Sequence, residues 1–417
     1  MAVPPSATHC TPASTPHLLS ALPGKHKNPR LAYTGNGYVV AWNTEIDNGG
    51  TPAYRIDLAL TDKDGNRLGP NVSLTANPEA DTSPPTVTPL QGGTVVAWSR
   101  ITNTGTHIFV SNFDLNGEKL DANGVPCDPG IAECGLFQVT SAGNEREPYL
   151  SRPTLEAHTA HPTDNQVGLS WISAAGGQGQ VYWKKIQGNG LELIPDKQIT
   201  VAAGKYALPR MAFDGTHTGI SWRDDGRSPA ADFYFATLDA VGQISSQATL
   251  VGTASGPYAA MGAPDLVWSD GDYALVAATN GSPSAAITIE RFAPNGVNVL
   301  PPHGVTFGGV ACTPTVAWDG EAYGIGWQTI CGQPGSGLAF ELVDKSGQRL
   351  AEDGSICPAS EPACGTTILA NTTSTSQTDP EMVWAGDNSF ALTWTEVGAL
   401  DGGEASSEVY FSRVDCM

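Results

Sequence analysis

Residues 29–42 read PRLAYTGNGYVVAW: a proline, an alternating run, a turn at Gly35-Asn36-Gly37, and a second alternating run ending on Trp42. Period-2 alternation on both sides of a short glycine-containing turn is the signal of a β-hairpin. The design returns as PTVTPLQGGTVVAW to Trp98, PTLEAHTAHPTDNQVGLSW to Trp171 and PRMAFDGTHTGISW to Trp222. It returns again as PDLVWSDGDYALVA, with Ala277 in place of the tryptophan, as PTVAWDGEAYGIGW to Trp327, and as PEMVWAGDNSFALTW to Trp394. Seven hairpins of one kind are therefore expected.

A third alternating run follows each hairpin, from Tyr54 to Leu60 in the first copy and from Glu408 to Val414 in the last. A short fourth run follows in six copies: NVSLTA, LFQVTS, KQITVA, QATLVG, GVTFGG and TTILAN. The seventh copy lacks one, because the chain ends at Met417. His17-Leu18-Leu19-Ser20-Ala21 precedes Pro29 much as NVSLTA precedes Pro85. The missing strand is expected there, supplied by the N-terminal segment.

Four-stranded repeats of this period fit an all-β, seven-bladed β-propeller of four antiparallel strands per blade, whose ring leaves no long sheet edge exposed. A length of 417 residues alone favours two or three domains. No linker separates the copies, so one domain over 1–417 is expected, with 1–27 as the closing segment. Blades are expected to start near 29, 85, 153, 209, 264, 314 and 380. The six recurrent tryptophans suit packing between blades better than ligand stacking.

Composition agrees, with 48 glycines, 31 prolines and only 15% charged residues describing a turn-rich globular chain. The net charge of −21, with no offsetting basic cluster, disfavours nucleic acid and anionic lipid as partners. No apolar run approaches the roughly 20 residues a membrane span needs. Met1-Ala2-Val3-Pro4-Pro5 lacks the basic-then-apolar pattern of a signal peptide, so any such peptide is expected to have been replaced by Met1.

The eight cysteines pair readily on paper. CDPGIAEC and CPASEPAC are one design, implying Cys127–Cys134 and Cys357–Cys364 bridges rather than zinc sites, whose paired cysteines sit closer and draw on histidine. Cys10 and Cys416 flank the cut in the last blade, and their pairing would lock the ring. Cys312 and Cys331 bracket the sixth hairpin and form the remaining bridge. Four disulfides imply an oxidising compartment, hence a secreted, cell-surface or periplasmic location.

From His17 onward the tandem pattern resembles secreted bacterial β-propeller repeat proteins. The Ser-x-Asp-x-Gly-x-x-Trp box of sialidase-like propellers is absent, and the kelch Gly-Gly and WD40 Gly-His signatures do not recur. The resemblance therefore carries architecture and no functional residues.

Asp62-x-Asp64-Gly65-Asn66 looks like the opening of a calcium loop, but the matching turns lack the second carboxylate and no glutamate follows at position twelve. A plain turn, and no cofactor, is expected. Glu156, His158, His161 and Asp164 have weak metal character within the third hairpin. An exposed polar loop is the simpler reading. No nucleophile elbow, phosphate loop or dinucleotide fingerprint is present.

The residue after each hairpin proline is expected to line the channel: Arg30, Thr86, Thr154, Arg210, Asp265, Thr315 and Glu381. Two roles fit these residues, inter-blade pairing of Arg210 with Asp265 and of Arg30 with Glu381, or contact with a ligand. The loops joining second to third strands share a face with those joining blades. That face carries Glu45, Asp47, Arg100, Arg223, Asp224, Asp225, Arg227, Glu396 and Glu404 and is the expected recognition surface. The function expected is that of a monomeric, non-catalytic recognition protein for a glycan or protein ligand. The alternative is an extracellular hydrolase or lyase using channel-mouth carboxylates.

Overall fold

The computed structural model describes residues 10–13, 15–20, 24–48, 51–74, 84–128, 131, 133–150, 165–174, 179–202, 204–227, 230–254, 262–280, 285–306, 310–331, 335–370, 375–399 and 405–416. Within them the chain forms seven antiparallel sheets, each with four strand positions, in a ring. This is a seven-bladed β-propeller. No helix long and apolar enough to cross a membrane occurs among the described residues.

The blades have no cores of their own. Buried apolar residues fall into seven clusters, each drawn from two neighbouring blades. Trp42 packs at the junction of the last and first blades, and Trp98 at the junction of the first and second. All six recurrent tryptophans are buried. Trp171, Trp222 and Trp394 also stack on Tyr182, Tyr234 and Tyr410 of the adjacent strand. Burying each aromatic between sheets is what makes isolated blades unfavourable and the ring cooperative.

The hairpin proline lies within the innermost strand, at a β-bulge. In the first blade, inner strand Lys25–Tyr33 pairs Lys27 with Asn43 and Arg30 with Ala41, so Asn28 and Pro29 together stand opposite Trp42. The same extra residue occurs at Glu147-Pro148, Leu208-Pro209, Thr313-Pro314 and Asp379-Pro380. An inner strand is a sheet edge, so a proline there removes no ladder hydrogen bond. The bulge bends the strand and aims the residue after the proline.

Register also corrects the third blade. Its inner strand is Glu145–Leu150, with Tyr149 paired to Ser170, the counterpart of Arg210 paired to Ser221. The blade therefore turns on Pro148, not Pro153, and Tyr149 takes the channel position expected of Thr154, which lies outside the described residues.

Closure follows the expected route in two pieces. Cys10–Pro12 and His17–Leu18 both pair antiparallel with Ala405–Cys416, filling the outer position of the last blade. Ser20 accepts a hydrogen bond from the Val409 amide at 2.9 Å and donates to Glu408. Cys10 is bridged to Cys416, and the other three disulfides are Cys127–Cys134, Cys312–Cys331 and Cys357–Cys364.

Candidate functional site

One residue of each inner strand, in five blades the one that follows the bulge, contributes to a collar around the axis: Arg30, Thr86, Tyr149, Arg210, Asp265, Thr315 and Glu381. Each occupies the same register on its inner strand. Arg30 meets Glu381 across the closing junction, with Nη1 to Oε2 at 3.7 Å. Asp265 accepts hydrogen bonds from the Val316 amide at 2.9 Å and the Thr315 hydroxyl at 3.1 Å. The Thr315 oxygen in turn accepts from the Met382 amide at 3.1 Å. Blades five, six and seven are thus tied through their collar side chains.

The expected Arg210–Asp265 ion pair does not form. Asp265 is drawn forward to the backbone of the next blade, where fixed donors satisfy a buried carboxylate without ordering a long side chain. Arg210 is drawn backward, its guanidinium lying over the Tyr149 ring at 4.7 Å from the centroid. Its Nη1 donates to the Pro209 carbonyl at 3.0 Å. Burial, and then the like charge of Arg30, push this guanidinium below its ordinary value, while Tyr149, Glu381 and Asp265 act the other way.

The remaining face residues serve local pairs on separate blades. Arg223 grips Asp225 through Nε and Nη2 at 2.8 and 2.9 Å, and its Nη1 donates to the Gly262 carbonyl ahead of the fifth blade. Arg100 lies 3.6 Å from Glu133 and over the Phe109 ring. Glu396 accepts from the Thr375 hydroxyl at 2.8 Å. Glu45 lies 3.0 Å from Lys27, Arg227 pairs with Asp232, and Asp224 accepts from the Lys205 amide. Glu404, Glu156, His158, His161 and Asp164 lie outside the described residues, as does the side chain of Asp47. Asp62 closes its own turn, its Oδ1 accepting from the Asp64 and Asn66 amides at 2.9 Å each.

Below the collar the channel is apolar, walled by Tyr33, Trp268, Trp318 and Trp384. Its cavity of about 70 Å³ is under half the roughly 150 Å³ that accommodates a benzene ring. Sequence reasoning missed Tyr149 and the Asp265–Thr315–Met382 relay. A second Pro-x-apolar signal at Pro148-Tyr149-Leu150 was the available clue to the first.

No protein-family model matches the chain, and no curated protein matches it in sequence. Among solved structures, the polysaccharide lyase Uly1 is 10% identical with a TM-score of 0.52, covering 98% of this chain and 99% of that one. A protein of unknown function from Dyadobacter fermentans is 11% identical with a TM-score of 0.50, covering 98% and 99%. A neuraminidase-like protein of A/flat-faced bat/Peru/033/2010 is 9% identical with a TM-score of 0.50, covering 98% and 94%. At these identities the likeness is one of fold.

Proposed function

We propose that this propeller is a secreted, non-catalytic recognition protein of bacterial repeat-propeller type, binding a glycan on the collar face of its channel. The observation that carries the reading is the engagement of the collar carboxylates. Glu381 is held by Arg30, and Asp265 by Val316 and Thr315. General acid–base chemistry needs a carboxyl group within reach of a reacting proton, and these two are committed to joining blades. A rigid ring with fixed polar groups suits recognition instead, because little ordering remains to be done when a ligand arrives.

Four disulfides support an extracellular setting, where glycans are abundant ligands. The fold is shared with a polysaccharide lyase, which supports a sugar ligand over a protein one. The test is a glycan array run beside a screen of polysaccharide hydrolase and lyase substrates. Binding without turnover is expected. Turnover that disappears in Glu381→Gln or Asp265→Asn would overturn the non-catalytic reading, and retention of proteins alone would overturn the glycan.

A further inference from the structure

We propose that Arg210 is the anion contact of the channel, receiving a carboxylate carried by the ligand, so that the ligand is an acidic, uronate-bearing glycan. This rests on the glycan reading above and narrows it to one class.

The argument begins with charge. The chain has 42 acidic and 21 basic residues, so a buried cation without a carboxylate is the unexpected case. Nearly every described arginine has one within 4.0 Å: Arg349 has Glu341 at 3.4 Å, Arg413 has Asp415 at 2.9 Å, and Arg223 has Asp225 at 2.8 Å. Arg30, Arg55, Arg100, Arg146, Arg227 and Arg291 are matched in the same way. Among the described residues the exceptions are Arg67, which is exposed, and Arg210, which is half-buried in the channel.

Geometry completes the case. A guanidinium carries five N–H donors, and the only hydrogen bond made by Arg210 among the described residues is the one to Pro209. The Tyr149 face holds the guanidinium plane, pre-organising the fork that binds a planar carboxylate through two parallel bonds. Glu381 and Asp265 act on Arg210 through space, but neither is within ion-pair distance of it: Glu381 meets Arg30, and Asp265 accepts from the backbone of the sixth blade. What remains is a guanidinium with no ion-pair partner and four N–H donors unused among the described residues, a fork that fits the carboxylate of a uronate.

The test measures binding of galacturonate, glucuronate and mannuronate oligosaccharides beside their methyl esters, which remove the charge at the cost of one added methyl group. At least one acid is expected to bind, with esterification weakening it tenfold or more. Arg210→Gln should weaken the acid to the level of its ester and leave the ester unchanged, with Arg210→Lys between the two. Because Arg210 makes no ion pair and a single hydrogen bond among the described residues, Arg210→Gln is expected to leave the melting temperature close to that of the unsubstituted protein. The acid–ester comparison on the unsubstituted protein stands even if the variant fails to fold. Equal binding of acid and ester, or a ratio unmoved by Arg210→Gln, overturns the inference. Binding of neutral sugars alone overturns it while sparing the glycan reading. Failure of the whole panel, with an acidic peptide bound instead, overturns both.

Discussion

Glu290 is buried on the third strand of the fifth blade and has one side-chain donor, Asn298 Nδ2 at 3.0 Å. Burial pushes its carboxyl from the ordinary 4.5 up to about 7, and the Asn298 bond only partly opposes this. Between those values the folded chain holds a proton that the unfolded chain has released. Stability therefore falls as pH rises through this window, and the contribution is fully present only below the unfolded value. The melting temperature is expected to decline from pH 5 to pH 8, and Glu290→Gln, which cannot ionise, should shallow that decline. Parallel slopes for the two proteins, measured by calorimetry, would show that Glu290 is not the group responsible. Burial pushes Glu341 further, to about 8, although Arg349 opposes it, so Glu341 adds to the same decline; the Arg349 guanidinium also donates to the Glu361, Pro362 and Cys364 carbonyls and so anchors the nearby disulfide loop.

At the scale of the element, the bulged inner strand is the recurring device. Asn28, Glu147, Leu208, Thr313 and Asp379 each precede the bulge proline with φ between 46° and 54°, a region that glycine occupies without strain. Thr313 is β-branched and therefore the least suited of the five. Left-handed backbone costs an ordinary residue roughly 1–2 kcal/mol, while glycine loses about 0.5–1 kcal/mol in extra unfolded-state freedom. Thr313→Gly is thus expected to raise stability by up to about 1 kcal/mol in urea unfolding. Thr315→Gly, two residues along in extended backbone, should lower it, since the Thr315 hydroxyl joins three blades. A destabilised Thr313→Gly protein would mean that the bulge is not strained. The bulge persists across five blades because it stands opposite a buried tryptophan, and packing set by neighbouring sheets outweighs local backbone preference.

For the whole molecule, closure is the feature on which the ring depends. Cys10 and Cys416 are 406 residues apart, for which the chain-entropy model gives roughly 6 kcal/mol as an upper bound, against roughly 2 kcal/mol for the 7-residue separation of Cys127 and Cys134. The double substitution Cys10→Ser with Cys416→Ser is expected to lower the melting temperature more than Cys127→Ser with Cys134→Ser. The reverse order would place the ring's stability in its hydrogen bonds and packing alone. Deleting residues 1–25 goes further, removing both pieces that pair with Ala405–Cys416 and baring a strand edge beside the buried Val409 and Phe411. Light scattering should then show aggregation. A monomer with unchanged melting behaviour would count against closure.

The sequence by itself determined the architecture. Alternation with period 2, the Pro-to-Trp hairpin repeated seven times, the absent fourth run and the cysteines flanking the cut are local or counted features, and blades that pack only on their neighbours repeat the same local solution. The tertiary structure decided what the collar does. Pro148, Pro153 and Pro162 all precede Trp171, and only strand pairing chose Pro148. Arg210 and Asp265 occupy matching positions on adjacent blades, yet one lies back over Tyr149 and the other reaches forward to Val316. That choice rests on which fixed amide, aromatic face or carboxylate lies within hydrogen-bonding or van der Waals reach after bulges have bent each inner strand. Such distances are set between blades, by packing, and no spacing along the chain encodes them.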